Sequence, residues 1–176
     1  MSIVETLESV LKLIQDELRA ELAAQGHRLT GALENSLQYK IEVKSTVAIG
    51  RIYSEDYGIF VELGVSPERI PFGKGKGGGK KTSYYIQGLI AFWEKRGLSG
   101  REAISAAFAT AHVHAREGMP SRASYRFSST GQRTGFVKAV TERNLDRIGD
   151  IIAEKYGATI ELEIAKQFDS RIRIRA

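Results

Sequence analysis

The sequence predicts an α+β fold: a long N-terminal helix, a β-hairpin or small antiparallel sheet, inserted helices, a long C-terminal helix and a candidate late strand. Three observations carry that expectation. Apolar residues recur every three or four positions over 3–24, two alternating runs flank a turn near 45–46, and a helical period returns between 83 and 156. Strands that follow one helix and precede the others indicate α+β and not a βαβ sheet. At 176 residues a single domain over 1–176, with one core, is the default.

In the first helix the stripe is Ile3, Leu7, Val10/Leu11, Ile14, Leu18 and Leu22, with charged residues between, and Gly26 is a natural C-terminal stop. Thr30 is placed to cap a short helix, its hydroxyl accepting from free amides of the first turn, with Leu33 and Leu37 on one face. Tyr39, Ile41 and Val43 then alternate with Lys40, Glu42 and Lys44. After the turn come Val47, Ile49, Arg51 and Tyr53, completing a hairpin.

Residues 65–82, "VSPERIPFGKGKGGGKKT", hold two of the three prolines and five glycines. That composition predicts a mobile loop, because nothing after Phe72 offers enough apolar surface to offset ordering it. "SYYIQGLIAFWEKRG" predicts a helix with Ile86, Leu89/Ile90 and Trp93 on one stripe. A second helix after Ser99 is expected to bury Ile104, Ala107, Phe108 and Ala111. A loop over 118–134 carries three arginines and no acid. The last helix, about 135–156, presents Phe136, Val140, Leu145, Ile148, Ile152 and Tyr156, and Gly157 ends it. Within 158–176, "TIELEI" and "RIRIRA" alternate as strands do, while helix continuation through "TIELEIAKQF" stays open.

Charge is uneven. Residues 1–64 carry six Lys/Arg against ten Asp/Glu, a net of −4; residues 65–145 carry fourteen against five, +9; residues 146–176 carry six of each. The formal +5 therefore sits mid-chain, where a basic surface faces phosphate or an acidic partner, or simply keeps the chain soluble. The absence of cysteine removes disulfides, thiolate metal sites and cysteine nucleophiles, and fits a reducing compartment. The first residues lack the apolar core of a signal peptide, and no run approaches the ~20 apolar residues of a membrane span.

Motifs for catalysis are tempting and then fail. "GKGKGGGKKT" resembles a phosphate-binding loop, but Gly79 is followed by Lys80 and Lys81 before Thr82, so Gly-Lys-Ser/Thr never occurs and no strand leads in. A flexible basic arm touching phosphates through Lys74, Lys76, Lys80 and Lys81 is the stronger reading, beside a merely solvated loop. His112 and His114, two apart on a helix, point to different faces, and His27 is distant in sequence. Glu55 and Asp56 read as helix-start residues beside the amide dipole. Serines lack a Gly-x-Ser-x-Gly elbow. No enzyme activity, metal or cofactor is expected.

"YGIFVELG" (57–64) is harder to place, because Glu62 sits in an apolar segment without base, nucleophile or metal partner in the sequence. Its neighbours fall on two stripes, Ile59 with Leu63 and Tyr57 with Val61, as in a half-buried short helix. It also takes part in a family resemblance. "LTGALENSL" (29–37) precedes the hairpin, "YGIFVELG" follows it, and "GQRTGFVKAV" (131–140) opens the last helix. In that order, behind a long first helix, they resemble the tailed-phage neck proteins, the tail-completion or head–tail joining family of the minor tail protein Z type. Thr30, Gly31, Leu33 and Ser36 match that family's first segment. Tyr57, Phe60, Val61, Glu62 and Gly64 match the second, and Phe136 with Val140 matches the third loosely, valine standing for alanine. Residues 65–133 depart from the family as a longer insertion, with the Gly/Lys-rich loop at 65–82 and the arginine-bearing loop at 118–134.

The resemblance implies a structural virion protein at the head–tail interface, made in the bacterial host cytoplasm, without enzymatic activity. It implies a homo-oligomeric ring, six-fold favoured, bound to neighbouring neck and tail proteins, with double-stranded DNA in the lumen and no membrane. Lys74, Lys76, Lys80, Lys81, Arg122, Arg126 and Arg133 are then candidates to face DNA, and Glu62 is a carboxylate fixed where the chain turns at Gly64, shaping a subunit interface. Alternative readings are a tail terminator or head-closure adaptor, and a non-specific nucleic-acid-binding module. Against the last, no stacking aromatics are spaced through the basic stretch.

Overall fold

The computed structural model describes residues 3–45, 47–73 and 83–156, the side chains of Lys155 and Tyr156 excepted. The fold is α+β, with a two-stranded antiparallel sheet among helices. The chain gathers into two compact units. One takes the described parts of Met1–Ala23, Arg28–Glu55 and Phe136–Ala176; the other takes Ala24–His27 and Asp56–Gly135.

In the first unit the helical period of the N-terminus becomes α1, Ile3–Ala24. Val10, Leu11, Leu18 and Leu22 are buried, whereas Ile3 at the start is exposed. α2, Ala32–Ser36, is a single turn and a half whose Leu33 is buried, as is Leu37 beyond it. So short a helix is not stable alone. It is held by α1, where Gln15 Nε2 donates to the Leu37 carbonyl at 2.6 Å and Arg19 donates to the carbonyls of Glu34 and Leu37 at 3.3 Å each.

β1, Gln38–Lys44, pairs antiparallel with β2, Val47–Tyr53, in the register Gln38 to Tyr53 and Lys44 to Val47. A Cβ on Gly50 would lie 2.7 Å from Leu11 Cδ1, so glycine lets the strand come this close to α1 without displacing the Leu11 side chain. Across the hairpin Glu42 and Arg51 form an ion pair, which lowers the Glu42 pKa through its hydrogen bond and the adjacent charge.

α6, Phe136–Tyr156, buries Phe136, Val140, Asn144 and Ile148 at a strict spacing of four. Leu145, expected inside, is exposed. Asn144 takes the inward place because its amide donates to the Val140 carbonyl at 3.0 Å, which satisfies a polar group that burial would otherwise penalise. The strands or helix considered for 158–176 lie outside the described residues.

In the second unit α4, Tyr84–Glu94, is capped by Ser83, whose side chain accepts from the Ile86 amide at 3.3 Å. α5, Gly100–Glu117, packs on α4 and buries Ala103, Ala107 and Ala111 completely. Ala107 and Ala111 are buried as expected, whereas Ile104 and Phe108, expected with them, are exposed and Ala103 is buried instead. Alanines admit a close helix approach, and the polar pairs Trp93 Nε1 to Thr110 Oγ1 (2.9 Å) and Tyr85 Oη to His114 Nδ1 (2.8 Å) join the two helices beside them. The start of the 65–82 segment is packed: Pro67–Arg69 forms a 3-10 turn, Ile70 is buried, and Phe72 meets Phe108 and His112 edge-on.

Candidate functional site

The three sequence segments that carried the resemblance fall into both units, and each is built mainly by backbone demands. In the first, Gly31 holds a left-handed conformation (φ 68°) at the start of α2, so the N-cap position belongs to Gly31 and not to Thr30. Thr30 still accepts from the Ala32 amide at 3.3 Å. Ser36 Oγ donates to the Leu33 carbonyl (2.8 Å) and accepts from the Glu55 amide (3.1 Å), tying the end of α2 to the chain just past β2. Phe136, of the third segment, is buried at the start of α6 in the same unit, with Val140 one turn on.

The second segment forms α3, Gly58–Leu63, in the other unit. Its orientation is the reverse of a helix with an apolar face inward. Gly58 is buried and Val61 and Glu62 are half-buried, while Tyr57, Ile59, Phe60 and Leu63 are exposed at 42, 39, 51 and 57%. Glu55 and Asp56 precede the helix, whose N-cap is Tyr57, so neither lies in its first turn. The Glu62 carbonyl accepts from the Gly135 amide at 2.8 Å, and Gly64 donates to the Phe60 carbonyl at 2.9 Å.

Val65 and Met119 then exchange two backbone hydrogen bonds of 2.7 and 2.8 Å in an isolated antiparallel bridge. Tyr57, Phe60, Glu62 and Gly64 are therefore brought together on one short helix and its exit. Among the described residues no group of three or more His, Asp or Glu is placed to hold a metal ion.

The arginines of the 118–134 loop divide. Arg133 turns inward: its Nη1 donates to the carbonyls of Gln25 (2.9 Å) and Gly26 (3.2 Å), and its own carbonyl lies 3.0 Å from His27 Nε2. Burial lowers the pKa of His27, and the Arg133 guanidinium lowers it further. Arg122 and Arg126 are on a 3-10 turn, Arg122–Phe127, and both are exposed. Arg126 lies over the Phe127 ring at 4.8 Å from its centroid, and Arg96, thirty residues before it, lies over the same ring at 5.1 Å. Arg96 also covers Phe92 at 4.7 Å.

Beside them Arg116, Glu117, Pro120, Arg122 and Tyr125 line an open cleft of about 470 Å³. Glu117 is committed there, accepting from Arg116 Nη2 (2.8 Å) and the Arg122 amide (3.0 Å), and both interactions lower its pKa. Aromatics therefore do interleave with the basic groups, against the expectation that none are spaced through the basic stretch; Tyr125 and Phe127 already flank Arg126 in the sequence. Arg96 and Arg116 were not foreseen, because they reach the loop from other elements. Lys74, Lys76, Lys80 and Lys81 lie outside the described residues.

No protein-family model, curated protein or solved structure matches the chain.

Proposed function

We propose that this protein is a structural component of the head–tail interface of a tailed phage: a tail-completion protein that assembles as a ring around the DNA channel and joins tail to head. The observation that carries the reading is the outward apolar face of α3. It lies inside the segment through which the sequence resembles the neck family, and it holds Tyr57, Ile59, Phe60 and Leu63 in solvent. Such a face is costly to hydrate, and association is the ordinary way to bury it. Copies arranged about a symmetry axis bury it repeatedly.

The uneven charge supports the same reading. A net of −4 over residues 1–64 and +9 over 65–145 supplies unlike surfaces for neighbouring subunits to match. The residues of the resembling segments are spent on positioning α2 and α3, which is what an assembly protein requires of them.

Light scattering on the purified protein, alone and mixed with isolated tails, tests the reading. The expected result is a closed oligomer, or a monomer that is recruited to tails. A monomer that ignores both itself and tails overturns it.

A further inference from the structure

The arginine–aromatic cluster of the second unit has its own chemistry. Arg96 and Arg126 lie over one ring, Phe127, each guanidinium carbon within 5.1 Å of its centroid. Arg122, on the same 3-10 turn, lines the adjacent cleft with Tyr125. Two like charges are held over one ring, and no acid other than Glu117 occurs between residues 103 and 141. Glu117 accepts from Arg116 and the Arg122 amide, and its charge acts on the Arg122 guanidinium as well; among the described residues Arg96 and Arg126 form no ion pair, so the patch stays net basic.

We infer that Arg96, Arg122 and Arg126 form a contact site for the phosphate backbone of double-stranded DNA. Three features select this ligand. Guanidiniums are planar forks suited to phosphate oxygens, and stacking on Phe92 and Phe127 restricts them before the ligand arrives. The guanidiniums occupy the Phe127 ring, so it orders arginines and does not serve as a platform for an unstacked base. The adjacent cleft is open and its lining is mainly polar, with Arg116, Glu117 and Arg122, whereas small-molecule sites are lined mainly by apolar side chains. Contacts of this kind position without reading sequence. The inference deepens the DNA-channel part of the proposed function and rests on it for the choice of duplex, yet it is tested apart from assembly.

The test is fluorescence anisotropy with a labelled random-sequence duplex of about 25 base pairs, measured from about 50 to 200 mM NaCl on the full chain, the range over which phosphate contacts show their salt dependence. The wild type is compared with Arg96→Ala/Arg122→Ala/Arg126→Ala and with Arg101→Ala/Lys138→Ala, which removes exposed charge elsewhere. Each phosphate contact contributes a slope of roughly 0.9 in log K against log salt. The triple variant is therefore expected to lose roughly 2 to 3 units of slope and about tenfold or more in affinity at mid-range salt, while circular dichroism and oligomeric mass stay unchanged. The control is expected to bind nearly as the wild type.

Besides failure of the wild type to bind duplex, three results overturn the site. They are wild-type binding by the triple variant, an equal loss in the control, or wild-type affinity for poly-glutamate equal to that for polymerised duplex at the same salt, which would make the patch a site for acidic proteins. Oligomeric mass, read in the same samples, reports on ring assembly separately. A protein that assembles and fails to bind duplex refutes this inference alone.

Discussion

Gly64 and Gly118 stand on either side of the backbone bridge between Val65 and Met119, both in a conformation that only glycine adopts readily. Gly64 has φ 73° and ψ −176°, and Gly118 has φ 81° and ψ −167°. A Cβ on Gly64 would meet the Met119 carbonyl oxygen at 2.7 Å, and one on Gly118 would meet the Val65 oxygen at 2.5 Å. Side chains are thus excluded at the exit of α3 by both torsion and space.

Gly64→Ala is expected to destabilise the protein by about 1–3 kcal/mol, the range for a non-glycine residue forced into such a region. Urea denaturation with an unchanged slope reads this directly. Gly73→Ala is the comparison. Gly73 also has positive φ (80°), but a Cβ there would meet nothing within 4 Å, so its cost is expected to be smaller.

Tyr85 and His114 supply a pH dependence. Burial lowers the pKa of His114, with Glu117 opposing in smaller measure, and burial lowers that of His27 as well. Each folded pKa lies below the unfolded value of about 6.5. As pH falls through that value the unfolded chain takes up protons that the folded chain resists, so stability is full above it and declines below it. Tyr85, pushed up to about 12 by burial, keeps its proton throughout and shares a hydrogen bond with Nδ1 of His114. The melting temperature is expected to fall as pH drops from about 7.5 to about 5.5, and less steeply in His114→Gln. Tyr85→Phe is expected to cost about 0.5–1.5 kcal/mol at neutral pH.

The ion pairs made by Arg143 and by Lys138 of α6 differ in worth. Arg143 reaches Glu17 and Glu21 on α1 at 3.2 Å each, and Glu21 has only 5% of its side chain exposed. Lys138 and Glu142 are 3.8 Å apart and both largely exposed (73 and 69%). Arg143→Met is expected to cost about 1–3 kcal/mol by removing a partner from a buried carboxylate. Lys138→Met is expected to stay within about 0.5 kcal/mol. Chemical denaturation of both variants checks the contrast.

Where one face of an element carried an unbroken apolar period, the sequence was legible. α1 and the two strands form where their patterns place them, with Val10, Leu18 and Leu22 buried, but burial does not alternate along β2, and Val43, Val47 and Tyr53 are exposed. α5 was legible in part: Ala107 and Ala111 are buried as expected, whereas bulk suggested Ile104 and Phe108 and close packing on α4 took Ala103 in their place. Asn144 displaced Leu145 through a hydrogen bond to its own helix, which hydropathy does not register. α3 turned its apolar side outward because Gly58 fills the inner position. The Arg96–Phe127–Arg126 cluster joins residues some thirty positions apart, and only tertiary structure brings them together.

Changing the exposed face of α3 separates assembly from folding. Phe60→Asp/Leu63→Lys substitutes two solvent-exposed side chains, so the melting temperature is expected to move little, by an amount equivalent to about 0.5 kcal/mol per site. Light scattering is expected to show loss of the oligomer or of recruitment to tails.

The most direct measurement is head–tail joining in a lysate of phage-infected cells that lack this protein, read as infectious titre after purified protein is added. The expected result is separate DNA-filled heads and tails before addition, a titre restored by the wild type, and no restoration by Phe60→Asp/Leu63→Lys. Heads and tails that join without the protein, or a titre restored equally by the variant, would contradict the proposed role of α3 in assembly.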